Sequence, residues 1–290
     1  MKSTTTVSLI NMKGGVGKTT LTVNLAYFFA EYRPVRVLVV DLDPQFNASQ
    51  YLLGPDKYQQ ILALGEPTVW DVFERNTRVP RRVTGTIDVT KIVRNVGKFG
   101  SGRLDLVPSR LDLAYSVKSP AQKEHELAKF LREMDENYDL VLIDCPPTES
   151  MLTTAAYLAS DYLLVPVKPE YLSSIGLPLL IRSLDDFQDA YENSRLRLAG
   201  VVFNNMTPNT SSPEEVQSKA DVRGIAEDND WHVFRNEVPF SRRFASGARD
   251  GKPFQHTPEG RGNKDQEFFD FAKELQERLQ LCMPRFSMTC

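Results

Sequence analysis

A doubly wound α/β fold, a mostly parallel sheet with helices on both faces, is predicted by three observations. Continuous apolar runs of strand length recur along the chain: Val7 to Ile10, Val35 to Val40, Leu104 to Val107, Leu140 to Ile143, Tyr162 to Val167 and Leu198 to Phe203. Strands buried on both faces read as unbroken runs of this kind. Helical patterning alternates with them over 18–32, 121–136, 173–191 and 263–281. The residues with recognisable chemistry fall at the carboxyl ends of the runs, where open α/β sheets bind their ligands.

The first run ends at Lys13-Gly14-Gly15-Val16-Gly17-Lys18-Thr19-Thr20, and the next residues carry the helical pattern Leu21, Leu25, Phe28, Tyr32. Glycines at a strand-to-helix junction let backbone N–H groups turn toward phosphate oxygens, and the helix adds its positive dipole end at the same place. In this cradle Lys18 is assigned to the β- and γ-phosphates and the Thr19 hydroxyl to Mg²⁺. Asn11 or Met12 stands where the strict pattern G-x-x-x-x-G-K-[ST] has its first glycine, so the loop is a variant, K-G-G-x-G-K-T-[ST].

The second run ends at Asp41-Leu42-Asp43-Pro44-Gln45. A carboxylate there can orient a water for in-line attack on a γ-phosphate, or hold Mg²⁺ through water, because phosphoryl transfer needs positioning more than strong bases. Asp-Pro can also do no more than start a turn. The fourth run ends at Asp144-Cys145-Pro146-Pro147. Four apolar residues closed by an acid make a strand whose carboxylate, Asp144, takes Mg²⁺ through water, and two prolines stiffen the loop that follows. Later segments, Val165 to Glu170, Gly200 to Asn205 and Val238 to Arg243, also end strands. An amide side chain matches both donor and acceptor on an adenine edge, so Asn204 or Asn205 is a base-recognition candidate; an asparagine capping a turn before Pro208 is the other reading.

The second lysine of the loop, Lys13, together with D-x-D-P and D-x-P-P, resembles the deviant Walker A ATPases, the group of ParA, MinD and the nitrogenase iron protein. The resemblance runs from Val7 to about Leu281 and departs from the family at about 54–103, an irregular stretch placed as an excursion on the rim. It implies a single ATPase domain over 1–290 that works as a homodimer with ATP and Mg²⁺ sandwiched between subunits, Lys13 reaching the partner's nucleotide. It further implies that Asp43 positions the attacking water, that Asp41 acts behind the metal site, and that Pro239 lies by the purine.

Within the family the residues discriminate. Cys145, Cys282 and Cys290 lack C-x-x-C spacing, and Cys145 lies inside the D-x-P-P segment, which by resemblance is the family's switch loop, so cluster ligands of the iron-protein kind are missing. The last helical pattern has an apolar stripe, Phe268, Phe269, Phe271, Leu275 and Leu279, but an acidic polar face, which suits docking on the sheet better than the lipid surface of a MinD-like protein. No apolar run reaches the ~20 residues of a membrane span and no signal peptide is visible, so a cytoplasmic protein is expected. ParA-type proteins bind DNA without sequence preference, which needs local basic surface. With 35 basic and 38 acidic residues the net charge is −3, which excludes a bulk polycation. Two local clusters remain: Arg75, Arg78, Arg81, Arg82, Lys91, Arg94, Lys98, Arg103 and Arg110, and the set Arg235, Arg242, Arg243, Arg249 and Lys252. By resemblance the second is the first choice, with Arg242, Arg243 and Arg249 as contacts. No helix-turn-helix precedes Val7, so operator-specific binding is not expected. The implied role is partition or positioning of a plasmid, chromosome or protein cargo on the nucleoid, with a ParB-like adaptor. The alternatives are a MinD-like membrane ATPase and a metabolic ligase of the dethiobiotin synthetase kind.

Overall fold

In the computed structural model, residues 4–74, 91–117, 123–134, 137–170, 173–192, 195–206, 212–257 and 263–280 are described. Strand β1 (Thr5–Leu9) leads into α1 (Lys18–Tyr32), and β2 (Arg36–Asp41) into the short helices α2 (Asn47–Leu53), α3 (Pro55–Ala63) and α4 (Val69–Glu74). A hairpin follows, β3 (Arg94–Phe99) and β4 (Gly102–Val107), then α5 (Leu113–Ser116), α6 (Glu126–Arg132), β5 (Leu140–Asp144) and α7 (Met151–Ala159). The chain continues through β6 (Tyr162–Val167), α8 (Ser173–Ala190), β7 (Arg197–Met206), α9 (Pro213–Asp228), β8 (Val238–Pro239) and α10 (Arg242–Asp250). A 3₁₀ turn at Phe254–His256 and α11 (Asn263–Arg278) close it.

The strands form one eight-stranded sheet in the order β3-β4-β2-β5-β1-β6-β7-β8. All neighbours pair in parallel except β3 with β4. Alternation along each strand divides the core in two. Leu38, Val40, Val141, Ile143, Val165 and Phe203 face the layer built by α4, α6, α7 and α8. Val37, Val39, Leu140, Leu142, Leu164 and Val202 face the layer of α1, α2 and α11. The sheet is therefore covered on both faces, and the strand runs read from sequence are its fully buried central members.

Register is what brings the motifs together. Asp41 stands opposite Asp144 across β2 and β5, and Leu9 opposite Asp144 across β1 and β5. The three loops that follow these strands thus leave the sheet side by side at one rim.

The stretch at about 54–103 is more regular than the sequence suggests. It contains α3, α4 and the antiparallel strand β3, beside residues 75–90 that lie outside those described. The helix expected over 121–136 is found as Glu126–Arg132 among the described residues. Helices α7, α9 and α10 were not anticipated.

Strand β4 passes close under α1 at Gly102. A Cβ on Gly102 would lie 1.9 Å from the Ala30 carbonyl oxygen and 3.0 Å from Pro34 Cα, both backbone atoms that cannot rotate away. Gly102→Ala is therefore expected to destabilise the protein by about 3 kcal/mol, the upper range for overpacking a core. Urea denaturation checks it, and an unchanged midpoint would refute the fit described.

Candidate functional site

The phosphate loop is shaped by what it leaves unbonded. Helix α1 begins after Gly17, whose φ of 89° is left-handed, and no side chain caps the helix. The N–H groups of a first helical turn have no partner within their own helix, so an uncapped N-terminus is suited to phosphate oxygens. Gly14 and Gly15 are exposed, with no atom within 4 Å of where a Cβ would stand. Gly17 is crowded instead: a Cβ there would lie 2.2 Å from Asn204 Nδ2. That amide donates to the Val16 carbonyl at 2.7 Å, pinning the loop to the end of β7.

Lys18 is buried, and its ammonium donates to the carbonyls of Asn11 (3.0 Å) and Lys13 (3.1 Å), drawing the loop around itself. Burial lowers its pKa, and Asp144, Cys145 and Asp43 act against that shift. Asn11 holds the other side of the turn. Its Nδ2 donates to Pro166 O and its Oδ1 accepts from the Lys13 N–H.

Three carboxylates cluster at the adjacent ends of β2 and β5, and two of them, Asp144 and Asp43, act on this lysine. Asp144 is fully buried; its Oδ2 accepts from the Thr19 hydroxyl at 2.7 Å, while Oδ1 is buried without a hydrogen-bond partner. Burial pushes its pKa up to about 7, against the Thr19 bond. Asp41 is equally buried and also shifted upward, by burial first and the charge of Asp144 second. Its Oδ2 accepts from the Ser49 N–H (2.7 Å) and hydroxyl (2.6 Å), and its Oδ1 from the Asp43 N–H (3.2 Å). Asp41 thereby ties the start of α2 to the sheet and fixes the backbone of Asp43, whose Oδ1 accepts from the Gln45 N–H. The donor set fits a divalent cation: a hydroxyl and an acid in contact, with one buried carboxylate oxygen unsatisfied. Thr19 and Asp144 are the residues that would hold Mg²⁺, which when bound would neutralise charge on phosphate oxygens.

Lys13 is engaged within its own chain. Its ammonium lies 3.1 Å from Glu170 Oε2, and Lys168 contacts the other oxygen of the same carboxylate. Glu170 follows β6 in the segment 165–170, and its part in holding Lys13 was not anticipated from sequence. At the base-side end, Asn204 is buried and committed to the loop, whereas Asn205 is half-buried with φ 61°, at a register shift between β7 and β8. Pro239 is buried in β8 next to it.

The basic residues sort less simply. Arg242 and Arg249 are exposed on α10, and Lys252 is exposed just beyond it. Arg243 does not join them: it is buried, with Nε donating to the Thr257 hydroxyl and its guanidinium over the Phe254 ring. One helical step, about 100°, separates it from Arg242, so the two cannot share one outward face. Of the other cluster, Arg75, Arg78, Arg81 and Arg82 lie outside the described residues. Arg94, Arg103 and Arg110 are paired with Glu66, Asp105 and Asp112. Cys145 is buried, and burial raises its thiol to about 12, so it is inert. Cys282 and Cys290 lie outside the described residues. Among the described residues no helix is long and apolar enough to cross a membrane.

A phosphate loop with two lysines, opposed by acids at the ends of adjoining parallel strands, defines a nucleotide-hydrolysing site, and comparison with known proteins agrees. Residues 4–198 match the AAA domain family. The chain belongs to this family, among the ATPases of ParA/MinD type. It is 32% identical over 275 residues to the sporulation initiation inhibitor protein Soj of Bacillus subtilis, covering 93% of this chain and 97% of that one. Its fold is similar to that of McdA from Cyanothece, with a TM-score of 0.75 at 18% identity over 94% of this chain and 99% of that one. It also resembles cobyrinic acid a,c-diamide synthase of Mycobacterium smegmatis with bound ADP and magnesium, with a TM-score of 0.63 and 26% identity over 85% and 91% of the two chains.

The raised pKa of Asp144 has a consequence for stability. An unfolded aspartate titrates near 3.9, so between about pH 4 and 7 the folded, ligand-free chain holds a proton that the unfolded chain releases. Stabilisation from this proton is complete below about pH 4 and is lost as pH rises toward and through 7. Asp144→Asn, which cannot titrate, is expected to raise the melting temperature of the ligand-free protein more at pH 8 than at pH 5. Thermal melts of both proteins at both pH values check it, and an equal shift would show that Asp144 titrates normally.

Proposed function

We propose that this chain is an ATP-dependent dimerisation switch that binds DNA without sequence preference and serves the partition or positioning of a cargo. The observation that carries the reading is Lys13. Lys18 already sits inside the loop, held by two loop carbonyls, so a second ammonium beside the phosphate site is not needed by the chain's own nucleotide. Lys13 instead rests on the partly exposed Glu170, from which it can be exchanged at little cost, since surface ion pairs contribute ~0–1 kcal/mol. Its role across a dimer interface comes from the family resemblance. Near full-length similarity to a Soj protein supports the partition reading.

In this reading the loop amides and Lys18 bind the phosphates of ATP, and Thr19 and Asp144 hold Mg²⁺. Asp43, fixed by Asp41, orients water for in-line attack. Hydrolysis is slow, as a switch requires. Asn205 faces the base, because Asn204 is committed to Val16. Arg242 and Arg249 contact DNA phosphates from two copies of α10. A ParB-like adaptor and a nucleoid-associated cytoplasmic location follow from the same resemblance. The likeness to cobyrinic acid a,c-diamide synthase favours a second reading, an ATP-using metabolic ligase, which would require no DNA.

Two sets of measurements test these assignments. Lys18→Ala is expected to abolish ATP binding, while Lys13→Ala keeps binding and loses ATP-dependent dimerisation. Asp43→Ala should retain the ATP dimer and lose about 100-fold or more in turnover, the scale of a misplaced attacking group. Titration with labelled ATP, sedimentation and phosphate release separate these outcomes. Equal loss of binding in both lysine variants would make Lys13 an in-cis ligand.

For DNA, Mg-ATP but not ADP is expected to support binding of mixed-sequence duplex, with affinity falling steeply as salt rises. Replacing both Arg242 and Arg249 by glutamate should remove DNA binding and spare dimerisation. Fluorescence anisotropy on two unrelated duplexes across a salt series reads this. Absence of binding at low salt in the parent protein would move the reading to the ligase class.

A further inference from the structure

Asn24 is a polar residue with no exposed surface, flanked in the middle of α1 by the buried Val23 and Leu25, and its side-chain amide nitrogen and oxygen are both engaged. Its Nδ2 donates to the Thr20 carbonyl (2.7 Å) in the first turn of the phosphate-binding helix and to the Tyr51 hydroxyl (3.3 Å) on α2. Its Oδ1 accepts from the Phe254 N–H (2.9 Å), which lies just beyond α10. The Tyr51 hydroxyl in turn donates to the Phe244 carbonyl of α10 at 3.5 Å. A buried, fully satisfied network of this kind fixes the relative positions of the elements it joins. Here those elements are the phosphate loop helix, the helix that follows Asp43, and the basic helix.

The contact with α10 is close-packed. A Cβ on Gly247 would lie 2.8 Å from the Tyr51 hydroxyl and 2.6 Å from the Lys252 carbonyl, so α10 sits directly on Tyr51. Helix α2 is also rigidly attached at its other end, through Ser49, to Asp41 and to the Ser109 N–H. A displacement at the Asp41–Asp43 loop therefore has a stiff path to α10. Outside this contact α10 is held by the Phe244–Phe254–Phe268 ring cluster and by buried Arg243, which donates to the Thr257 hydroxyl and covers the Phe254 ring.

We infer that the Asn24–Tyr51 pair couples the occupant of the phosphate site to the position of α10, so that the nucleotide state sets the presentation of Arg242 and Arg249. The coupling rests on the reading of α10 as the DNA-binding helix for its biological use, but not for its physical existence. Linkage makes it reciprocal: a ligand that favours one position of α10 must shift nucleotide affinity by the same factor.

Hydrogen exchange by mass spectrometry on the full chain, with Mg²⁺ and either a non-hydrolysable ATP analogue or ADP, tests the coupling, and anisotropy with mixed duplex runs alongside. The parent protein is expected to show a difference in exchange over 242–250 between the two nucleotides of about fivefold, the scale of one net hydrogen bond. Tyr51→Phe, which removes only the hydroxyl, should abolish that difference while the phosphate-loop peptide keeps its nucleotide protection. Gly247→Ala, which wedges the same contact from the α10 side, should do likewise. An unchanged difference over 242–250 in Tyr51→Phe, or none in the parent, overturns the coupling. A nucleotide-dependent difference lost in Tyr51→Phe, in a parent that binds no DNA, supports the coupling and refutes the DNA reading alone.

Discussion

Everything at the nucleotide site depends on placing anionic side chains where water cannot reach them. Asp41 and Asp144 are fully buried and directly opposed in register, with Asp43 only slightly exposed beside them. The buried ammonium of Lys18 acts on Asp144 and Asp43. Desolvated like charges at this spacing drive pKa values upward, which is the direction found for Asp41 and Asp144. The chain solves the problem differently at each acid. Asp41 is satisfied by Ser49 and the Asp43 N–H, and so becomes structural. Asp144 keeps one oxygen without a hydrogen-bond partner, which leaves it as the acid that would take a divalent cation.

The same division of labour recurs among the amides. Asn11, Asn24 and Asn204 are all buried in or near the phosphate loop, and each bonds backbone: Pro166 and Lys13, Thr20 and Phe254, Val16, with Asn24 also donating to the Tyr51 hydroxyl. Together they hold the loop from three sides without touching the space over Gly14 and Gly15. Within the loop Lys18 and Asn11 supply bonds, to the carbonyls of Asn11 and Lys13 and to the Lys13 N–H, and much of the loop's support comes from neighbouring elements. It is braced by the Asn204 side chain reaching in from β7, and by Asn11 and Asn24 bonding outward to the backbone of β6 and of the segment after α10.

This explains which parts were legible in the sequence. The central strands and the loop motifs were readable because burial on both faces and phosphate chemistry impose local patterns; α1 and β6 carry the bounds their periodicity gives. Strand β3 was not, since Arg94-Asn95-Val96-Gly97-Lys98-Phe99 is an edge strand with half-buried residues and a bulge, and lacks an apolar run. Helices α2, α3 and α4 are six to nine residues long, too short for a clear period. The roles of Asn24, Tyr51 and Glu170 depend on partners far away in the chain, 230 residues away for Asn24 and Phe254, which no local pattern encodes. Arg242 and Arg243 looked equivalent as letters; only the phase of α10 separates an outward arginine from one packed on Phe254.

The contrast between the two lysines of the loop follows from their burial. Lys18 is held by carbonyls inside the turn, where moving a charge is costly, so it is suited to a ligand that comes to it. Lys13 is half-buried on the more exposed carboxylate of Glu170, which it shares with Lys168, and a pair open to water on one side contributes little to stability. Giving up that pair needs no rearrangement of the loop, because Asn11 fixes the Lys13 backbone while leaving its side chain to move. Lys13 is thus anchored at its backbone and loosely held at its tip, with Glu170 neutralising its charge within the chain, which is the arrangement the proposed contact across a dimer would need.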